Sequence, residues 1–101
     1  MEWSNSSVKQ MFDKYGDRIC SISLNNGKYL LIGYRGKGQV QMSDISFETI
    51  GGVDVMAIKH VDFSSGRDIE FTSYITTAFI EGIDVMSEKD KDYRIDPLRL
   101  K

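Results

Sequence analysis

The run Arg18–Leu24 (RICSISL), then Asn25-Asn26-Gly27, then Lys28–Tyr34 (KYLLIGY), does most to limit how this chain folds. In an extended strand Cys20, Ile22 and Leu24 share one side, and Ser21 and Ser23 take the other. Asn-Gly suits a tight hairpin because both residues tolerate positive φ. The second strand is apolar on both faces, with Leu30 and Ile32 on one and Tyr29 and Leu31 on the other. That reads as a central strand or one covered by a helix. Gly33 marks a bulge, a bend or a close backbone approach.

A short helix precedes the hairpin. Val8, Met11, Phe12 and Tyr15 recur at helical spacing and place one apolar stripe on one face. Ser4 is the expected N-cap, with Trp3 and Val8 as a hydrophobic staple, and Gly16 is the expected stop. A helix this short is marginal alone, so it must cover a sheet or close the end of a barrel.

Downstream, the chain predicts a basic turn at Tyr34–Gly38 and a short strand over Gln39–Met42. An irregular connection or brief strand follows to Gly52. Val53–Phe63 reads as a strand, and Ser64–Arg67 as the next turn. Asp68–Ile80 is rich in aromatic and β-branched residues and reads as one long bent strand or two meeting near Thr76 and Thr77. The pentapeptide Gly52–Met56 (GVDVM) returns as Gly82–Met86 (GIDVM), and the second copy supplies the last strand. Residues 1–86 therefore form one small β-rich domain, and residues 87–101 a charged turn and extended tail. Tyr93, Ile95, Leu98 and Leu100 either dock on the body or a partner or belong to a tail that frays, and Pro97 disfavours a helix there. Short strands, one initial helix and no βαβ spacing lead to a mainly β fold. Its expected form is a small antiparallel barrel, SH3-like in size, or a strongly bent sheet, with a short N-terminal helix and an α+β arrangement as the alternative.

Composition bounds the function. At 41% hydrophobic and 28% charged, the chain is ordinary globular material that builds its own core. One cysteine, Cys20, excludes an intrachain disulfide and fits a cytoplasmic setting; it reads as a small buried apolar residue. No apolar run is long enough to cross a bilayer, and the N-terminus lacks the pattern of a signal peptide. A net charge of −2 argues against coating nucleic acid by bulk charge, though not against a local basic site.

Candidate sites follow from residue chemistry. Arg35 and Lys37, among glycines and beside Tyr34, offer cationic and backbone donors to a phosphate or carboxylate, without P-loop spacing. Tyr29 and Tyr34 can stack a base, although they alternate onto opposite faces. His60 is the only histidine, and no second ligand stands at metal spacing, so no metal or cofactor is expected. A Ser–His–Asp system would need Asp54, Asp62 or Asp84 to converge on it, so no catalytic residue is assigned and the chain is read as a non-enzyme. The paired Asp54 and Asp84, with Met56 and Met86, mark an interaction surface if they share an outer face.

The segment Ile19–Gly33 with Ser43-Asp44 resembles the Sm-like family. Gly27, Gly33 and Asp44 stand near that family's glycine and aspartate positions, and Phe79–Val85 resembles its late strand motif, with Glu81 where the family carries a basic residue. The resemblance implies a five-stranded barrel with an N-terminal helix and an RNA site. Two functions are thus expected. The first is a non-catalytic protein-binding or assembly module that self-associates into a homo-oligomer or inhibits a macromolecular partner. The alternative is a small Sm-like RNA-binding protein.

Overall fold

The computed structural model describes residues 2–36, 38–63 and 66–91. Helix α1 (Asn5–Tyr15) comes first, followed by β1 (Ile19–Leu24), β2 (Tyr29–Leu31), β3 (Ile45–Ile50), β4 (Val53–Asp62), β5 (Ile69–Thr76) and β6 (Ile80–Val85). Short 3-10 turns sit at Gly16–Arg18, Met42–Asp44, Thr77–Phe79 and Glu88–Asp90.

The helix starts and stops where its chemistry dictates. The Ser7 N–H donates to Ser4 Oγ (3.2 Å), and the Ser4 N–H donates to Ser7 Oγ (2.8 Å), a reciprocal cap that satisfies two orphan donors. Gly16, at φ +51°, ends the helix and donates its N–H to the Phe12 carbonyl. Val8 is fully buried, and Phe12 meets Phe47 of β3 edge-on with ring centroids 5.6 Å apart.

The strands form two antiparallel sheets, β2-β1-β6 and β3-β4-β5. In the second, Phe47 pairs with Met56 and Met56 with Ile75, so these side chains share the inner face. Ser46, Ala57 and Tyr74 line up the same way on the outer face. Val8, Ile19, Ile22, Ile32, Val40, Met56, Ile58 and Ile80 form one core cluster drawn from the helix and both sheets.

The expected closed barrel or strongly bent sheet is not what forms, and the Sm-like resemblance does not hold. The fold mixes helix and strand, with two open three-stranded sheets that share no strand. The physical reason lies just after β2. That strand ends at Leu31, and Gly33 turns out of the extended region at φ +79°. Only an isolated parallel bridge, Ile32 to Val40, remains of the expected Gln39–Met42 strand. No long bent strand is left to carry one sheet into the other. For the same reason β2 is an edge strand rather than a central one.

Other expectations shift by less. The Asn25-Asn26-Gly27 turn gives positive φ to Gly27 alone, +81°. The Gly27 N–H donates to Leu24 O (3.1 Å) and the Leu24 N–H to Lys28 O (2.9 Å), which is a turn closed by a glycine bulge. In β1 a register shift between Ile19 and Ser21 buries Ile19 and leaves Cys20 only half-buried. The aromatic stretch resolves into β5 and β6 with a 3-10 turn at Thr77–Phe79 between them. The docking residues of the tail lie outside the described residues.

Met56 sits at the centre of this packing with no exposure. Met56→Ala is expected to destabilise the fold by about 2–5 kcal/mol, read as a lower urea midpoint at unchanged slope.

Candidate functional site

A groove of about 520 Å³ opens where the edge of one sheet faces the edge of the other. One wall is the β1–β2 hairpin, Leu24–Leu30, and the opposite wall is Ser73–Thr76 of β5, with Ile58 and His60 of β4. Phe79 contributes from the 3-10 turn that follows β5. β2 and β5 each end their sheet, and no ladder joins them.

Three aromatic rings stand out into solvent around this groove. Tyr29 is 67% exposed, Tyr74 57% and Phe79 51%. Each is held by rigid backbone. Tyr29 pairs with Ser23 in the β1–β2 ladder. Tyr74 pairs with Ala57 in the β4–β5 ladder. Phe79 is fixed by its carbonyl, which accepts the Asn25 N–H at 2.9 Å. His60 lines the groove floor and stacks on Phe71 across the ladder, with centroids 5.0 Å apart and rings 13° from parallel.

The polar lining is one-sided in charge. It includes Lys28, His60, Asn25, Asn26, Ser73 and Thr76, and among the described residues no carboxylate. Asn26 Oδ1 accepts the Lys28 N–H at 3.0 Å, which sets the turn and leaves the amide NH₂ as a donor. Two smaller depressions differ. One, on the outer face of β3-β4-β5, holds Asp44, Glu48 and Lys59 and shares Tyr74 with the groove, and the other, by the helix start, holds Glu2 and Asp54.

The residues singled out from sequence do not gather here. Tyr34 is half-buried, and its carbonyl accepts from Gln41 Nε2 at 3.0 Å. Arg35 is exposed, and Lys37 lies outside the described residues. Asp54 serves the helix: its Oδ2 accepts the Asn5 N–H at 2.9 Å, where a carboxylate suits the helix N-terminus. Met56 is core. Asp84 accepts from Ser21 Oγ at 2.6 Å, while the Met86 N–H donates to Arg18 O (2.7 Å) and Arg18 Nε donates to Met86 O (2.9 Å). Asp54 stands in β4 of one sheet and Asp84 in β6 of the other, so the repeated pentapeptides mark two strands and no common surface. Among the described residues no carboxylate bonds His60, and no group of three metal-ligating side chains forms.

Sequence reasoning had Tyr29 as a stacking ring but missed Tyr74, Phe79, Asn25, Asn26 and Lys28. One signal was present. Tyr74 shares strand parity with Thr72 and Thr76, so it faces away from Phe71 and Ile75. Comparison with protein-family models, with curated proteins and with solved structures finds no match to this chain. No helix among the described residues is long and apolar enough to cross a membrane.

The capping role of Asp54 has a measurable consequence. Asp54→Ala is expected to cost about 0.5–2 kcal/mol through loss of the helix-terminal bond, seen in urea unfolding. Asp54→Asn, which keeps an acceptor, is expected to cost less.

Proposed function

We propose that this chain is a non-catalytic binding module that holds single-stranded RNA in the groove between β2 and β5. The observation that carries this reading is the set of exposed rings, Tyr29, Tyr74 and Phe79, around a lining that has Lys28 and no carboxylate. An exposed ring on rigid backbone is a platform for a base, because every base has a π-face. The Asn26 amide and the Lys28 ammonium supply donors for base carbonyls or phosphate oxygens. The proposal does not require an Sm-like barrel. It differs from one in placing the site at an unclosed seam.

The balance of forces sets the expected behaviour. With a net charge of −2 and one groove lysine, binding draws on stacking more than on counterion release. A slope of log affinity on log salt of about −1 is therefore expected, against about −0.7 for each phosphate neutralised on a single strand. A protein-binding or assembly role draws on a different observation, the open outer edge of β5.

Fluorescence anisotropy with a short single-stranded RNA and its duplex tests the proposal. Single strand is expected to bind and duplex to bind more weakly. Y29A, Y74A and F79A are each expected to weaken binding by roughly 5- to 150-fold, the equivalent of about 1–3 kcal/mol per stacked base. R35A, outside the groove, is expected to change little. No binding at low salt, or an R35A effect equal to the ring substitutions in variants of native circular dichroism, refutes the reading.

A further inference from the structure

We infer that a second copy of this chain docks along the outer edge of β5, extending β3-β4-β5 across a two-fold axis. β5 has eight residues and, among the described residues, pairs only with β4. Its other side presents a row of backbone donors and acceptors without a partner among the described residues. Natural edge strands are usually shielded by lysines, prolines, bulges or shortness. β5, Ile69–Thr76 (IEFTSYIT), has no lysine, arginine, proline or glycine, and Glu70 is its single charge. Ile69, Phe71 and Tyr74 on it are exposed.

The other strand ends are poorer templates. β2 has three residues. β3 has its Glu48 carbonyl occupied by Asn5 Nδ2 at 2.8 Å. β6 carries two acidic residues, Glu81 and Asp84, in six positions. Among the described residues, β5 alone is long, uncovered and nearly uncharged.

Its sequence is also self-complementary. Residues directly opposite in an antiparallel pair point to the same face, so a two-fold axis must pass through a residue of the strand. Centred on Thr72, the pairing sets Ile69 against Ile75, Phe71 against Ser73, and Glu70 against Tyr74. Centred on Ser73, it sets Phe71 against Ile75 and Glu70 against Thr76. Both registers keep Glu70 away from its symmetry mate; only an axis through Glu70 itself would oppose the two carboxylates. Such an interface is isologous and closes after two copies.

The added strand lies about 4.8 Å from β5. Ser73–Thr76 also form one wall of the aromatic groove, so the second copy runs along the groove's rim. Self-pairing and RNA occupancy therefore compete. That consequence rests on the RNA reading, whereas the pairing itself does not.

Sedimentation of the full chain, from micromolar to millimolar, is expected to show reversible dimer formation. T72K, which sets two ammonium groups against each other at the axis or beside it, is expected to weaken self-association at least tenfold while native circular dichroism is kept. In a C20S background, mild oxidation is expected to cross-link either T72C or S73C efficiently and the other poorly, because only the axial residue faces its own copy. E81C on β6 is the control. A monomer at all concentrations overturns the inference, as does cross-linking of E81C equal to that of both β5 positions. If a dimer forms, short single-stranded RNA is expected to dissociate it. A dimer that bound RNA leaves intact overturns the competition but supports the pairing, and a chain that dimerises without binding RNA overturns only the groove reading.

Discussion

The antiparallel ladder between Ile19–Leu24 and Ile80–Val85 is the interaction on which the rest of the geometry depends. It joins segments about sixty residues apart, and closing a loop of that size is costly before any contact repays it. The return is large because Ile19, Ile22 and Ile80 all enter the core. The same ladder brings Leu24 opposite Ile80, and the next bond, Asn25 N–H to Phe79 O, draws the 3-10 turn against the hairpin. Phe79 thus reaches the groove that Tyr29 borders because β6 returns to β1. β5, tied only to β4, ends its sheet across the gap. The groove is the space left between two sheets that a common core holds together but no common strand closes.

What was legible in the sequence was local. The helix, its Ser4 cap, its Gly16 stop and the turn at Asn25–Gly27 follow from side-chain chemistry within a few residues, and each lies where that chemistry puts it. A break near Thr76 and Thr77 within Asp68–Ile80 is readable too, as one of two options, and the 3-10 turn at Thr77–Phe79 stands there. Sheet order was not. The double-sided apolar pattern of Tyr29–Ile32 reads as a central strand, yet it reflects a different cause: Ile32 is buried beyond the end of a three-residue edge strand. Gly33 reads as a bulge, a bend or a close backbone approach, but the loss of a continuous strand and hence of a barrel depends on tertiary pairing that no local pattern encodes.

The repeated pentapeptide shows why the site was harder than the fold. Glycine, aspartate and methionine recur at the same spacing, but the two contexts differ. In β4 the aspartate meets a helix terminus and the methionine the core. In β6 the aspartate meets a serine hydroxyl, and the methionine backbone ties to Arg18. A motif of alternating residues specifies a strand and its two faces; what each face meets is decided by distant parts of the chain. The groove residues come from three separate places, Asn25–Tyr29, Ser73–Thr76 and Phe79, so no single window carries their signal.

Net charge bears on the RNA proposal only through where the charges lie. An excess of carboxylates argues against RNA only if those carboxylates face the site. Here several are engaged in local structure. Asp44 accepts the Gln41 N–H at 2.9 Å, Asp54 caps the helix, Asp84 holds Ser21, and Asp90 accepts from Ser87 Oγ at 2.8 Å. Glu88 lies within ion-pair distance of Arg18 and Lys91, at the opposite end of β1 from the hairpin that walls the groove. The field at a ligand depends on distance and screening, and beyond about 8–10 Å in physiological salt an exposed charge counts little. Acidic residues that shape turns and caps are thus compatible with the proposed role of a groove whose own lining holds Lys28, aromatic rings and no carboxylate, even though Tyr74 also borders the depression that holds Asp44 and Glu48.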